Sequence, residues 1–580
     1  MQINYNLLSY LSSVISKAPL KLKVLIVLLT GFGFLFSPLM AHADYSAPSW
    51  WNGDQCDSTH YNNGNGHTPQ LLITWSGIQT CGYGPNQNPY NWSDVSVTMP
   101  GASAADYEWE CTELVKRYLY LAYSATALSS TNGDQVVANY ASNYPSKFKS
   151  TTNNTDSWHG FPNVGDVLSY SDVHTAIISG VTVTDQTNGN ATLNLVEQNA
   201  SLSGTTTQQV IGWKIKGDID DPNDTGTDTV TAWLTPLQWS NNSPSGTTHD
   251  TIQAMATSST SNVWATGYES VANCGSNMPV TYHNDGTGWT KYQPSYSCGS
   301  NPYYLNGVAT SSPSDAWVVG SYDPTGSYHA TLAEHWTGSS WSKVTSDSPA
   351  PSGNNNDLFG VAYAGTDVFA AGWYYDGTAH LDKPLIEKWN GTKFAQQTVS
   401  VPTGVTHVKL NSVAFSSSTS GWAVGQGYNG SGWYDLFYQY NGTTWTGTLG
   451  SIASPSNLLS VSVLPSGEAW AVGYGSTPLI MHYTSGSWTQ DTSFNGSFPT
   501  NTNLESVSAD STSDVWIAGY SGSGTPYTMH YNGSAWSQVS TPSVSGTSEL
   551  FGVAVNSDVA WAGGFQNGTT NPNPLTFKSL

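Results

Sequence analysis

The stretch "LNGVATSSPSDAWVVGS", residues 305–321, returns three more times in recognisable form. It reads "LNSVAFSSSTSGWAVGQ" at 410–426, "LLSVSVLPSGEAWAVGY" at 458–474 and "LESVSADSTSDVWIAGY" at 504–520. Related starts at Ile252, Leu358 and Leu550 make seven units spaced 46 to 53 residues apart. Within each unit two alternating apolar runs flank a Ser/Gly-rich turn, which is the pattern of a hairpin. A third apolar segment and a second turn follow, as in "EHWTGSSWSKV" at 334, "EKWNGTKFAQQ" at 387, "HYTSGSWTQD" at 482 and "HYNGSAWSQV" at 530.

Four short strands per unit at this period describe the blade of a β-propeller. The seventh unit, begun at Leu550, stops after its third strand. A candidate for the missing strand precedes the first unit, "TAWLTPLQW" at 231–239, which aligns with "SAWSQVSTP" at 534. A last blade that borrows an N-terminal strand leaves no open edge. The expectation is seven blades over 230–580, with 230–240 completing the last one. Trp264, Trp317, Trp422, Trp470, Trp516 and Trp561, with Phe369 in the third unit, hold one repeated position and are expected in the core. Loop aromatics in "WYYDG" at 373 and "GSGWYDL" at 430 are the better ligand candidates.

Ahead of the repeats, residues 1–23 carry Lys17, Lys21 and Lys23 and no acid, and an apolar run and "AHA" at 41–43 follow. That order describes a signal peptide, 1–43, cleaved after Ala43. The mature chain is expected to be secreted, extracellular or wall-associated, with no membrane segment after cleavage. Its formal charge of −23, with only 9% charged residues, excludes nucleic acid as a partner. The acidic stretch "GDIDDPNDTGTD" lies in a linker, 217–229, and lacks the closing glutamate of a calcium loop.

The segment 44–216 is left to hold chemistry. In "YEWECTELVKRYLY", 107–120, Leu114, Val115, Tyr118, Leu119 and Ala122 share a helical face, which puts Cys111 in the first turn. Unsatisfied amides and the helix dipole favour a thiolate there. The segment 164–185 reads as strand, turn, strand, with His174 opening the second strand; a third strand ends at Glu197 and Asn199. An antiparallel hairpin brings that end back toward His174, so either Glu197 or Asn199 could orient the imidazole. His159, in "SWHGF", is a weaker base because it reads as loop. Of the five cysteines, pairing within each domain would join Cys56 to Cys81 and Cys274 to Cys298 and leave Cys111 over. Pairing of Cys111 with a prologue cysteine is the alternative, since connectivity is not fixed by sequence.

"YEWECTELVKRYL", "VGDVL…VHTAII" and "VEQN", in that order, resemble the CHAP family of cysteine amidohydrolases and peptidases, which belongs with the NlpC-type, papain-like enzymes. The resemblance covers roughly 60–216, and the prologue carrying "SWWNGD" and "NPYNW" does not map onto it. It implies an α+β papain-like domain followed by the all-β propeller. It implies Cys111 as nucleophile, His174 as general base, Glu197 as the orienting residue and Asn199 as a further polar member. The implied activity is cleavage of an amide bond in bacterial peptidoglycan, as N-acetylmuramoyl-L-alanine amidase or peptide endopeptidase, with no cofactor and no metal. A propeller ligand, glycan or protein, is a second expected partner. The rival expectation is a non-catalytic, adhesive protein on the same scaffold.

Overall fold

The computed structural model describes residues 69–75, 78–83, 96–97, 106–107 and most of 111–579. The leader, the prologue aromatics, His159, Asn199, Cys56, Cys274, Cys298 and residues 217–228 of the linker lie outside the described residues. Among the described residues there are 39 strands and two α-helices, α1 (Cys111–Tyr123) and α2 (Val136–Asn143). None of these helices is long and apolar enough to cross a membrane.

The molecule is therefore nearly all β, and the expected α+β papain-like domain is corrected. Its helix at Cys111 forms, but α1 and α2 are short. The N-terminal unit is dominated by one antiparallel sheet of seven strands. These are β1 (Phe148–Thr152), β2 (Val167–Tyr170), β3 (Thr175–Asp185), β4 (Asn190–Val196), β5 (Thr205–Ile211), β6 (Lys214–Lys216) and β7 (Val230–Pro236). Their order is β6-β5-β4-β3-β2-β7-β1. Thr- and Val-rich runs such as "TAIISGVTVTD" suit a pleated surface better than a helix.

The pleat explains two cores. Val167, Ile177, Val196 and Leu234 face α1 and α2, where Leu114, Val115, Tyr118, Leu119, Val137 and Tyr140 pack on them. Their neighbours Leu168, Ile178, Leu195 and Trp233 build a second cluster with Leu193, Val210 and Ile215. Adjacent residues point to opposite faces, so runs apolar on both parities bury both sides of a sheet.

β7 also corrects the domain boundary. Residues 230–236 do not complete a propeller blade; β7 lies between β2 and β1 of the N-terminal sheet. The blade is closed by β8 (Trp239–Asn241), which pairs with the strand Asn573–Ser579. Only Leu237 and Gln238 separate the two strands.

The repeats form seven four-stranded blades over 250–292, 303–346, 356–396, 407–449, 457–490, 503–539 and 549–579 with β8. Every inner strand carries a register shift two residues wide at its Leu or Ile, from Ile252/Ala254 through Leu550/Gly552. The position after the bulge is Ser, Gly or Ala for a physical reason. Ser412, Ser460 and Ser506 accept the N–H of Val461, Val507 and Val553 on the next blade at 3.1–3.2 Å. At Gly552 a Cβ would sit 2.8 Å from the amide nitrogen of Met255, so the last blade meets the first at van der Waals limits. The seven repeated aromatics, Trp264 to Trp561 and Phe369, are all buried, as the core reading requires.

A polar motif holds four of the six repeated tryptophans. His335 stacks on Trp317 at 3.9 Å and its Nε2 bonds Asp315 at 2.7 Å; His482, Trp470 and Glu468 repeat this at 3.7 and 2.7 Å. Trp264, His283 and Asn262 do the same in the first blade. In the sixth blade His530 bonds Asp514 at 2.9 Å, and the indole N–H of Trp516 donates to the same carboxylate. Asp514 has a further partner from outside the propeller: Lys149 of β1, at 2.7 Å. Ser537 donates to the carbonyl of Pro145 at 2.9 Å, and the Leu237 N–H to the carbonyl of Lys147 at 2.7 Å. The N-terminal unit is thus seated on blades six and seven.

Candidate functional site

α1 begins at Cys111, and its next buried residues, Leu114, Val115, Tyr118 and Leu119, lie on the face that packs against the sheet. That spacing pins the helix, so its first turn has one placement. Tyr118, two turns from Cys111 on the same face, donates its hydroxyl to the carbonyl of Gly165 at 3.0 Å. Gly165 has φ +95°, a conformation that favours glycine, and its N–H donates to the carbonyl of Ile178. The helix is thereby tied to the hairpin of β2 and β3. Within the same helix, Glu113 and Arg117, one turn apart, form a buried ion pair at 2.9 Å. Sequence reasoning did not single out that pair, although the i, i+4 spacing was visible.

His174 sits at the head of β3, where Tyr170 N–H donates to its carbonyl at 3.2 Å. Ile177 pairs with Val196. Carried one residue further, that register makes Glu197 a diagonal neighbour of His174 on the same face. The side chains do meet: His174 Nε2 lies 3.3 Å from Glu197 Oε2. Cys111 engages the same imidazole by a side-chain hydrogen bond. Cys111 and Glu197 thus converge on one ring, whose Nε2 is turned to Glu197. Cys111 is 7% exposed, His174 12% at its side chain and Glu197 0%, so the centre is reachable only at its sulfur–imidazole end. Cys111 is a thiol and not part of a disulfide.

The electrostatics follow from that arrangement. Burial pushes the His174 imidazolium toward losing its proton. The charge of Cys111 and its hydrogen bond, and then Glu197, outweigh this and raise the pKa from 6.5 to about 10. The imidazole thus holds its proton well above the ordinary histidine range, between the Cys111 sulfur on one side and the Glu197 carboxylate on the other. Glu197 Oε1 is buried with no hydrogen-bond partner among the described residues, so the carboxylate is committed to the imidazole through one oxygen.

Three of the four expected site residues, Cys111, His174 and Glu197, are therefore brought together, while Asn199 lies outside the described residues. No cluster of three or more metal-ligating side chains occurs among the described residues. The propeller loop aromatics are half-buried against neighbours. Lys409 Nζ lies 4.0 Å from the centre of the Trp373 ring, and Trp433 packs on Tyr428 and His407.

No family model and no curated protein matches the chain. Similar solved structures include YCF48 bound to D1 peptide, with 15% identity over 59% of this chain and 96% of that one, at a TM-score of 0.37. The WD40 β-propeller domain of Doa1 is 9% identical over 59% and 97%, at 0.39. A puromycin hydrolase is 10% identical over 55% and 50%, at 0.38. The repeat domain stands on its own seven blades, and a CHAP domain receives no support from any of these comparisons. The expectation of a CHAP-type amidase that cleaves peptidoglycan is corrected accordingly.

Proposed function

We propose that the protein is a thiol-dependent acyl-transfer enzyme centred on Cys111, His174 and Glu197, with the propeller as its rigid mount. The observation that carries this reading is the convergence on one imidazole of Cys111 from α1 and Glu197 from the end of β4. The propeller's His–carboxylate pairs lie against tryptophan, whereas this imidazole has a thiol on one side and a buried carboxylate on the other, the pairing that gives a general base both a proton partner and an orientation.

In this reading the Cys111 thiolate adds to the carbonyl carbon of an ester, thioester or amide. The first-turn N–H groups of α1 lack intrahelical acceptors and offer the positive end of the helix to the oxyanion. The imidazolium of His174 gives its proton to the leaving oxygen, sulfur or nitrogen as the adduct collapses to a thioester. Water then adds, its proton passes to His174, and Cys111 departs as thiolate with the acid released. Glu197 keeps the imidazole aligned through both transfers. Read as a signal peptide, residues 1–43 support placing this chemistry outside the cytoplasm.

The test uses an activated acyl donor, so that no natural substrate need be known. The full mature chain is mixed with 4-nitrophenyl acetate, and nitrophenolate release and protein mass are followed together. The expected result is a burst of one equivalent, an acetyl adduct on Cys111, and slower turnover, all abolished in Cys111→Ala. An unlabelled Cys111 in folded protein overturns the reading.

A further inference from the structure

Three groups face the imidazole of His174 among the described residues, each from a different element. Cys111 comes from the head of α1 and Glu197 from the end of β4. The third is Tyr170, the last residue of β2, whose ring centre lies 5.2 Å from that of His174 with 53° between the planes. Tyr170 is fully buried, and its N–H donates to the His174 carbonyl, so the turn fixes backbone and ring together.

Histidine is held against rotation only by what touches it. A half-turn about its Cβ–Cγ bond would carry Nε2 away from Glu197 and offer a carbon to one of the two anions. Cys111 and Glu197 each hold one ring atom; neither presses on the ring's plane. An aromatic ring within about 6 Å of a cation does so, because its electron-rich face attracts the imidazolium while its bulk blocks rotation. A buried aliphatic residue would fill the volume and supply no such attraction.

We propose that Tyr170 is a positioning residue, which holds the His174 imidazolium in the orientation that serves Cys111 through one nitrogen and Glu197 through the other. The proposal rests on the thiol-centre reading above and adds to it a fourth member that acts only through His174. The ring is the part that matters, and the hydroxyl is not. Tyr170→Phe should therefore be silent where Tyr170→Leu is not.

The experiment is alkylation of Cys111 by iodoacetamide in the full mature chain from pH 4.5 to 9.5, with Cys111→Ser to identify the signal. In the native protein the rate is expected to stay high well below the ordinary thiol range near pH 8.5. Tyr170→Phe should match it within about twofold. Tyr170→Leu should be slower at pH 6 by about threefold to tenfold, the range of a lost cation–π contact. Its rate should rejoin the native one at pH 9.5, where the thiolate no longer needs the imidazolium. Tyr170→Met, whose longer and flexible side chain refills more of the space, carries the same expectation should the Leu variant lose its near-UV signal. Equal rates in all variants overturn the proposal and leave the centre standing. So does a slowing equal at every pH, which is packing alone. A native rate that titrates near pH 8.5 overturns the centre itself, and this proposal with it.

Discussion

Glu387 lies on the third strand of blade three, fully buried, where the equivalent residues of blades five and six are Met481 and Met529. Ser346 of blade two donates to its Oε2 at 2.6 Å, and its Oε1 has no hydrogen-bond partner among the described residues. Burial, aided by the nearby Asp347, pushes this carboxyl up from 4.5 to about 8. The folded state therefore holds a proton that the unfolded chain releases at about pH 4.5. Stability falls as pH rises through the window from 4.5 to 8. A shift of roughly 3.5 units corresponds to about 5 kcal/mol across the whole window, at 1.36 kcal/mol per unit. Glu387→Gln keeps the shape and removes the titration. Native and variant should be equally stable at pH 4.5 and diverge by about 4 kcal/mol at pH 8.5. For the roughly 340 residues of the propeller, an unfolding entropy of about 0.7 kcal/mol per kelvin turns that into some 6 °C. Paired thermal melts at the two pH values read the effect directly. Glu505, also raised by burial and by Glu549, titrates in the same region but is common to both proteins and cancels. A difference in melting temperature that is the same at pH 4.5 and 8.5 refutes the argument, because only a titrating carboxyl makes it grow.

Lys149→Met should cost about 3 kcal/mol in chemical denaturation, because it strips the inter-unit partner from a buried carboxylate. Burial opposes the ionised form of Asp514, but Lys149 and His530 prevail and hold its carboxyl well below the ordinary range. That contribution is present above the usual carboxylate pKa and lost as pH falls, so the variant should show a shallower decline in acid. Gly552→Ala should destabilise the chain by about 1–3 kcal/mol in urea, since its Cβ meets a backbone nitrogen of the first blade at 2.8 Å; an unchanged midpoint would mean the ring closes more loosely than it looks. Glu197→Gln should lower the inflection of His174, followed by NMR of a labelled imidazole, by about one unit from its native value of about 10. The native pair contributes stability that is full below pH 6.5 and is lost as pH rises toward 10, and the variant should lose it earlier.

The repeat was legible because the same physics is written seven times. A Leu-x-Ser/Gly-Val run marks the inner strand and its bulge, and Trp-x-x-Gly marks the second strand. The glycine of that motif is obligatory for space: at Gly267, a Cβ would collide with the Thr251 carbonyl that the bulge brings across. The closing strand was misplaced by a few residues for an equally physical reason. "TAWLTPLQW" is largely apolar and holds no Gly, Asn or charged residue, so it reads as one strand. Pro236 divides it: with no N–H to donate, it ends β7, and the chain turns through Leu237 into β8. Alternation tells which faces are apolar and says nothing about which sheet will cover them. Trp233 and Trp239 look alike in sequence, yet the first packs on Leu168 and Val210 and the second on Trp516 and Phe577.

The site shows the complementary limit. Cys111, His174 and Glu197 could be found from local order, because a helix start and a hairpin fix each placement within a few residues. The fold around them could not be inferred from the same three motifs, since a helix of 13 residues and a hairpin fit more than one architecture. Asp514 was visible as well, as the acid two residues before the repeated tryptophan in "SDVW", matching Asp315 in "SDAW" and Glu468 in "GEAW". What the sequence does not show is that one of these equivalent carboxylates is 2% exposed and bonded to a lysine 365 residues away. Repetition makes the sites alike, and docking of the N-terminal unit then makes one of them different. That asymmetry is the physical link between the two halves: β7 enters the N-terminal sheet, β8 closes the propeller two residues later, and Lys149 and Asp514 lock the seat between them.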